Sequence, residues 1–369
     1  MSVLNTLRNK LYSTTSQYFS HATLVEGFLK GTDQKLRCLF VENSGLQNII
    51  INRAFRQSRI LKRRKLWIPA LRDIVETHPE GTDLCIAVLP KSYEKEFRGV
   101  YNFKSQENVR QIIDVSGTWE EVRSRFHHRK RQISNTFDRK AGLSYRISHD
   151  LKDFEFFYHR MYIPHLKKQF GGLAYVDSYD EMKDYLLKGF LLLVQEDGCD
   201  VTGALCLIEN NTLIIRRAGV LDGDERYIKS GAQHALYYFN MLYAKQQGIE
   251  KVDTMTSLSF LADGVYRTKR EWGAAVYPDD ESKSWVFFFI FQHSEKIVSF
   301  FENLPVIIHT PAGLAGLSGW KGAPALPAVD KMALNKKYRA PGLEELILLT
   351  HDPERIITMQ FQTYTEKVS

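Results

Sequence analysis

Two polar residues in the second half of the chain have side chains suited to proton transfer. Asp253 lies between Val252 and Met255 in a short strand predicted at 251–256, and a carboxylate in that position could accept a proton. Tyr266, one short segment later, could protonate a leaving group. Both residues also have ordinary structural roles open to them, Asp253 as a hydrogen-bond partner for turn amides and Tyr266 as a core or interface aromatic.

A predicted helix start nearby could bind a phosphate group. Its small and basic residues are Arg226, Lys229, Ser230, Gly231 and Ala232. The first amides of a helix have no intrahelical partners and carry partial positive charge, so this turn could hold a pyrophosphate, with the two cations adding to the attraction. The alternative is an ordinary helix start, in which Ser230 and Gln233 form a capping box and Gly231 allows close packing.

Four further cations are candidates for binding a substrate. Arg216 and Arg217 are adjacent in a predicted strand and should therefore point to opposite faces, so one of them needs a partner on the covered side. That partner could be a carboxylate or phosphate of a substrate or, more commonly, an internal acid. Lys130 and Arg131 belong to a predicted basic helix. His234, within a predicted buried helix, is expected to be a satisfied core histidine rather than a base.

The elements that must position these residues can be predicted from the hydrophobic pattern. Apolar and β-branched runs bounded by turn residues predict strands at 36–42, 84–89, 110–115, 190–195, 201–208, 213–220, 251–256 and 285–291. The spacing of apolar or basic residues predicts helices at 52–75 with a break at Pro69, and at 119–139, 151–168, 230–247 and 261–272. The short turns between the strands from 190 to 220 are typical of antiparallel hairpins. Prolines and glycines predict a mostly irregular connection at 305–328, before a regular element at 343–350.

This order of elements, together with one motif, resembles the FemAB-like branch of the GNAT acyltransferase superfamily over about residues 112–276. The motif consists of Gly264, Tyr266, Lys269, Trp272 and Gly273, and the basic helix before it ends in a Lys-x-Gly-like step at Lys140, Ala141 and Gly142. The resemblance implies an α/β (α+β) protein with a GNAT-type mixed, mostly antiparallel sheet flanked by helices. It also implies a smaller N-terminal unit that would be a degenerate copy of the same fold.

The activity implied by the resemblance is transfer of an acyl group from a carrier to an amine. The carrier is acyl-CoA in one subset of the family and aminoacyl-tRNA in another. Such a reaction needs a neutral nucleophile, stabilisation of the oxyanion and a proton for the leaving group. The fold implies that edge amides at a splay between two central strands serve the oxyanion, with Asp253 and Tyr266 close by. The family's matching lysine implies that Lys269 contacts an anionic group in the substrate channel, and a solvated helix face is the alternative.

We therefore expect an N-acyltransferase that moves an acyl group, most simply acetyl, from acyl-CoA to an amine of a sugar, an amino acid or a cell-envelope precursor. Two alternatives remain open. One is an aminoacyl-tRNA-dependent peptidyltransferase, whose helical hairpin for tRNA has no clear counterpart here. The other is a non-catalytic basic module that binds nucleic acid or membrane. The stretch from 226 to 232 is only a degenerate version of the glycine pattern of acetyl-CoA users.

Length and composition are those of an ordinary folded protein. The chain has 369 residues, of which 44% are hydrophobic and 25% charged, and this excludes disordered, fibrous and disulfide-framework classes. We expect an N-terminal α/β unit at 1–115, an acyltransferase domain at 116–295 and a C-terminal extension at 296–369. The four cysteines, Cys38, Cys85, Cys199 and Cys206, share no metal-ligand spacing, so we expect reduced core cysteines and no metal.

The formal net charge of +7 is concentrated in two basic segments. Residues 53–65 carry seven cations and no acid, and residues 123–140 carry seven more with Asp138 as their one acid. Such clusters could bind tRNA, a lipid-linked sugar phosphate or an anionic membrane surface, or could simply be solvated. The expected substrate is a small-molecule or lipid-linked amine. Because no secretory signal or membrane-spanning run is evident, we expect a cytoplasmic location, with peripheral contact to the inner membrane as an option.

Overall fold

The computed structural model describes residues 18–79, 81–139, 142–171, 176–323, 325–352 and 355–361, so Lys140 and Ala141 of the Lys-x-Gly-like step lie outside the described residues. The strands are β1 Phe19–Leu29, β2 Lys35–Glu42, β3 Phe55–Trp67, β4 Leu84–Pro90, β5 Phe103–Ser105, β6 Asn108–Asp114, β7 Leu143–Ser148, β8 Phe190–Glu196, β9 Cys199–Glu209, β10 Thr212–Val220, β11 Lys251–Leu258, β12 Ala275–Pro278, β13 Ser284–Ile290, β14 Val306–Thr310, β15 Gly313–Gly319, β16 Leu343–Leu349 and β17 Ile356–Gln360. The helices are α1 Leu46–Ala54, α2 Leu71–Glu76, α3 Glu94–Phe97, α4 Trp119–Ser124, α5 His128–Arg139, α6 Leu151–Phe156, α7 Ile163–Phe170, α8 Tyr179–Lys188, α9 Glu225–Ser230, α10 Ala232–Gln246, α11 Gly264–Glu271, α12 Glu295–Asn303 and α13 Ala328–Tyr338. Within these described ranges, no helix is both long enough and apolar enough to cross a membrane.

The chain folds into two compact units that alternate along the sequence. The first comprises Met1–Val109, Ser257–Tyr266 and Tyr277–Ser369, and the second comprises Arg110–Thr256 and Arg267–Val276. This division differs from the three predicted segments at 1–115, 116–295 and 296–369. The physical reason is strand pairing: β13 pairs antiparallel with β4 and β5, so it joins the sheet of the first unit and not the expected acyltransferase domain.

The first unit contains two sheets around one main core. The larger sheet has the order β3-β1-β2-β4-β13-β5, and the smaller has the order β14-β15-β16-β17. Buried side chains of both sheets, including Phe40 and Leu317, share a cluster with Ile50 of α1 and Phe300 of α12. The unit is therefore larger than the small N-terminal copy that we expected, because the C-terminal strands complete it.

Most of the segment predicted as a helix at 52–75 is the strand β3, Phe55–Trp67, so the prediction is wrong there; its two ends are helical, in α1 up to Ala54 and in α2 from Leu71. After α1 the chain continues as β3, which pairs antiparallel with β1 from Phe55 to Trp67 and forms an edge of the sheet. Pairing with β1 provides the backbone hydrogen bonds that a helix would otherwise supply, and charged side chains are typical of an exposed edge strand. Helical spacing of Arg56, Arg59 and Arg63 was therefore a misleading signal.

The run predicted as irregular at 305–328 contains two strands, β14 and β15, so that prediction is wrong for much of its length. The glycines mark close packing instead of disruption. A Cβ atom added at Gly319 would lie 1.8 Å from the carbonyl oxygen of Val298 in α12. A strand that passes this close to a helix backbone needs glycine at the contact.

The second unit has the mixed, mostly antiparallel sheet flanked by helices that we expected, and this fold class is confirmed. Its order is β12-β6-β11-β10-β9-β8-β7, with antiparallel pairing from β7 to β10 and parallel pairing between β10 and β11. Alternating side chains of β8 face two helical layers: Leu192 packs with α10, and Leu191 packs with α6 and α8. The predicted strands at 190–220 and the buried helix between β10 and β11 are thus confirmed.

The cysteines are free, as expected, but one of them is not in the core. Cys38, Cys85 and Cys206 are buried, and burial raises the pKa of each thiol. Since the thiolate is the reactive form, these three are structural side chains. Cys199 is exposed at the start of β9.

Candidate functional site

A bend in β11 organises the candidate site of the second unit. Met255 has a φ of 61°, which is uncommon for a residue with a side chain. Its backbone N–H donates to Asp253 Oδ1 at 2.7 Å, and its carbonyl accepts from Lys269 Nζ at 3.2 Å. The bend follows the point where β10 and β11 stop pairing, since their parallel register covers only Thr212–Ile214 against residues 251–253. The sheet is therefore open beside Met255, as expected of the implied fold.

Asp253 is buried, with 3% of its surface exposed, and both of its carboxylate oxygens have partners. Oδ2 accepts from Arg110 Nε at 2.6 Å and Nη2 at 2.5 Å, and Oδ1 accepts from the Met255 amide. This geometry favours the alternative in which Asp253 is a hydrogen-bond partner for turn amides. It also adds an ion pair with Arg110 that was not predicted from the sequence. The role of Asp253 as a base stays a prediction.

Lys269 is buried at 4% exposure, so the solvated-face alternative is wrong. The amino group donates to the carbonyl oxygens of Met255 at 3.2 Å and Thr256 at 2.9 Å, because α11 directs this side chain at the end of β11. Lys269 and Asp253 therefore hold the same bend from two sides. The contact of Lys269 with an anionic substrate group stays a prediction.

Tyr266 is fully buried on α11, as the core-aromatic alternative supposed. It belongs to the first unit, whereas Lys269, three residues later on the helix, belongs to the second. The Tyr266 amide donates to Asp263 Oδ1 at 2.8 Å, and Asp263 also pairs with Arg53 at 2.5 Å. Tyr266 is thus part of the structure that starts α11, and its role as a proton donor stays a prediction.

Arg216 lies on β10 immediately beyond the pairing with β11. Its guanidinium stacks on the Tyr185 ring at 4.5 Å, Nη2 donates to the Tyr185 hydroxyl at 2.7 Å, and Nη1 lies 4.0 Å from Met255 Sδ. Nε is buried and has no hydrogen-bond partner among the described residues. A buried donor of this kind is costly unless something accepts from it. Arg216 is therefore a partly buried cation held by Tyr185 next to Met255, and its buried Nε donor has no partner in the described structure.

Arg217 has the internal partner that we considered more common. Its Nε and Nη2 donate to the two carboxylate oxygens of Asp177, each at 2.5 Å. The prediction that Arg216 and Arg217 point to opposite faces is wrong, since both reach the segment that contains Asp177 and Tyr185. A β-bulge between Ile215 and Arg217 interrupts the alternation of side chains.

The predicted phosphate-binding turn has a different form from the one expected. The helix α9 ends at Ser230, and Ser230 Oγ donates to the Tyr227 carbonyl at 3.0 Å, so the predicted capping box with Gln233 is wrong. Arg226 pairs with Asp224 at 2.7 Å, and Lys229 pairs with Glu225 at 2.9 Å. Both cations are largely exposed and already neutralised. They add little attraction for a phosphate.

The start of α10 nevertheless keeps donors available. Gly231 is the N-cap with φ 96°, a left-handed conformation suited to glycine, and no side chain caps the first amides, which begin at Ala232. Gln233 Nε2 lies 3.0 Å from His165 Nε2, a contact that suits the tautomer of His165 with its proton on Nδ1. That Nδ1 is buried with no partner in the described structure, and His165 is 7% exposed. The first amides of α10 are therefore without a side-chain cap in the described structure, and the buried His165 Nδ1 is not assigned to the site.

Lys130 is buried at 5% exposure in a cluster that the sequence analysis did not foresee. Its Nζ lies 3.1 Å from His234 Nε2, 3.4 Å from a Glu271 carboxylate oxygen and 5.8 Å from the centre of the Trp272 ring. Burial lowers the pKa of Lys130, and burial together with the charge of Lys130 lowers the pKa of His234 to about 4. These contacts are all internal, and a contact of Lys130 with substrate stays a prediction.

Arg131, the neighbour of Lys130, also has an internal role. Its Nη1 donates to the carbonyl oxygens of Ser124 at 3.1 Å and Phe126 at 3.2 Å. These are carbonyls at and just after the end of α4, where a helix leaves acceptors unsatisfied. Arg131 therefore stabilises the break between α4 and α5, which divides the helix predicted at 119–139.

Lowering the pH from about 7 towards 4.5 is expected to destabilise the protein in part through His234. The pKa of this imidazole is about 4 in the folded protein against 6.5 in the unfolded chain, so the unfolded state binds more protons between these values. The stabilisation that comes from keeping His234 neutral is complete above pH 6.5 and is lost as the pH falls towards 4. Urea unfolding at several pH values measures it. The H234Q variant should show a shallower decline; an identical pH slope would contradict this assignment.

Comparisons with known proteins place this chain at low similarity to several transferases. No family model matches it, and no curated protein matches it. FemX is 12% identical, with a TM-score of 0.39 over 73% of this chain and 84% of that chain. L-PGS from Bacillus licheniformis is 12% identical, with a TM-score of 0.35 over 74% of this chain and 86% of that chain. A GCN5-related N-acetyltransferase from Sphaerobacter thermophilus is 12% identical, with a TM-score of 0.32 over 69% of this chain and 71% of that chain.

Proposed function

We propose that this chain is an N-acyltransferase that moves an acyl group, most simply acetyl, from acyl-CoA to an amine of a sugar, an amino acid or a cell-envelope precursor. The observation that carries the proposal is the opening of the sheet between β10 and β11, with the Arg216 guanidinium at its edge. Backbone groups and a fixed cation at a gap between strands can stabilise a developing oxyanion. The residues around this gap also hold it open, since Asp253 and Lys269 fix the bend at Met255.

The proposed reaction is attack of a neutral amine on the thioester carbonyl. A C–N bond forms, the C–S bond breaks, the amine loses a proton and the departing thiolate gains one. Negative charge develops on the carbonyl oxygen, where Arg216 would donate from Nε. Asp253 and Lys269 would act as positioning residues, because Asp253 is held by Arg110 and the Met255 amide and Lys269 donates to the Met255 and Thr256 carbonyls.

The proposed site for the CoA pyrophosphate is the start of α10. The uncapped amides at Ala232 and Gln233 would supply the donors, and the helix dipole adds partial positive charge. Arg226 and Lys229 are already paired with acids, so we assign the pyrophosphate to backbone donors in preference to these two side chains.

The Gln233→Glu variant is expected to bind acetyl-CoA about tenfold more weakly, equivalent to ~1.4 kcal/mol. The new carboxylate would repel the pyrophosphate. It also removes the amide that contacts His165, so we expect a small fall in melting temperature besides the loss of affinity, partly offset by the favourable negative charge in the first helical turn. Calorimetric titration with acetyl-CoA measures the effect. The matched control is Gln132→Glu, which adds the same charge at an exposed site of α5. Equal affinities of the two variants would rule out this donor site.

The activity itself is tested by amine-dependent release of free thiol from acetyl-CoA, with amino sugars and amino acids as acceptors. We expect thiol release above the rate of hydrolysis with at least one amine class. If no acyl-CoA binds but aminoacyl-tRNA does, the donor assignment is wrong and the peptidyltransferase alternative replaces it. If neither donor binds, the proposed activity is wrong.

A further inference from the structure

The exposed edge strand β3 carries an unusual combination of side chains, which we call the basic strand surface. It consists of Arg56, Arg59, Ile60, Leu61, Lys62, Arg63, Arg64, Lys65 and Trp67, with Tyr18 beside its end. Every position from Arg56 to Lys65 is exposed. Since β3 is at the edge of the sheet, no described strand of the first unit pairs with its outer side.

Most of these cations have no acidic partner. Arg56 lies 3.4 Å from Asp33, and Arg59 lies 2.9 Å from Glu26. Within the described residues, no carboxylate lies within 4.0 Å of the cations at 62–65. Lys65 instead lies 4.5 Å over the Phe19 ring. Four adjacent like charges repel one another, and an anionic surface would relieve that repulsion.

The strand is held firmly in the sheet despite its exposure. Glu26 of β1 is 3% exposed and accepts from Arg59 of β3 and Arg37 of β2, and Lys35 lies 2.8 Å away. Hydrogen bonds from Lys35, Arg37 and Arg59 lower the pKa of Glu26 to about 2. The cations at 62–65 are therefore presented on a fixed element.

Apolar side chains on the same strand indicate the kind of partner. Ile60 is 57% exposed, Leu61 39%, Trp67 54% and Tyr18 50%. Cations alone would suffice to protect a sheet edge from aggregation, whereas exposed aliphatic side chains work against that purpose. Isoleucine and leucine cannot stack on nucleobases as aromatic residues do, but they can insert at the boundary between lipid headgroups and acyl chains.

We propose that the basic strand surface binds anionic phospholipid membranes. The cations at 62–65 would contact lipid phosphates, and Ile60, Leu61 and Trp67 would enter the interfacial layer. This inference goes beyond the proposed acyl transfer and does not depend on it, because membrane binding needs neither donor nor acceptor.

The test is sedimentation with vesicles of phosphatidylcholine, with and without one third phosphatidylglycerol. We expect binding only to the anionic vesicles, and K62E/R63E/R64E should reduce it by on the order of 100-fold. The control K152E/K283E/K331E changes the net charge equally at exposed positions elsewhere and should bind as the wild type does. Circular dichroism should show that both variants are folded, since none of the six side chains has an acidic partner in the described structure.

A second variant separates membrane from nucleic acid. I60S/L61S keeps every charge, and we expect it to weaken vesicle binding by about tenfold, as loss of inserted apolar area should. The same proteins are titrated with tRNA at physiological salt. Binding to tRNA without binding to anionic vesicles would overturn the proposal, and so would vesicle binding that both variants leave unchanged.

Discussion

Replacing Arg216 with methionine is expected to lower kcat for amine acylation by about 10²–10³-fold, the loss typical of removing one oxyanion donor. The substitution keeps much of the side-chain volume on the Tyr185 ring but removes the Nε donor at the gap between β10 and β11. Because this interaction would strengthen only as charge develops, KM should change much less than kcat. Steady-state kinetics with acetyl-CoA and the best amine measure both constants.

Two variants show whether that loss is specific. Arg216→Lys keeps the charge without the planar set of donors, so we expect an intermediate kcat. Arg226→Met removes an exposed arginine that already pairs with Asp224, and its kcat should match that of the wild type. A wild-type kcat for Arg216→Met would show that the oxyanion is stabilised elsewhere.

The meander and its buried crossover helix could be predicted from sequence because their signals are local. The runs in β8, β9 and β10 are apolar and separated by short turns, and α10 is apolar on most sides. The hydrophobic pattern within each segment therefore indicates helix or strand without reference to the segments that pack against it. The predicted boundaries of these elements differ from the observed ones by only a few residues.

The errors arose where a distant part of the chain determines the local conformation. The arginines of β3 have spacing compatible with a helix, yet eleven residues of β1 are available to pair with that segment. The glycines of β15 look like breakers, yet Gly319 is required by the approach of α12. In both cases tertiary contacts override local propensity.

The candidate site could be located from sequence but its contacts could not. Asp253 and Arg216 were selected by residue type and position and Lys269 by the family resemblance, and all three lie at the bend of β11 or at the adjacent strand. Their partners carry no signal of their own: Arg110 is 143 residues from Asp253 along the chain, and Tyr185 is one of several aromatics on helices. Only the folded sheet reveals these pairs.

Replacing Arg110 with methionine is expected to cost about 3–5 kcal/mol of unfolding free energy, because it leaves the Asp253 carboxylate buried without its charged partner. Adding D253N should recover part of that loss. The asparagine removes the buried charge, and its oxygen can still accept from the Met255 amide. Guanidinium unfolding of the two single variants and the double variant gives the coupling energy.

An exposed ion pair of the same unit is the matched control. Arg160 donates to both carboxylate oxygens of Asp222 at 2.7 Å, but both side chains are about half exposed. Water can solvate Asp222 once Arg160 is removed, so Arg160→Met should cost far less unfolding free energy than Arg110→Met. If Arg110→Met lowered the unfolding free energy no more than Arg160→Met does, the Arg110–Asp253 pair would not be what stabilises the bend at Met255. Asp253 would then be free to serve as the base, and its Asn variant should lose turnover without losing stability.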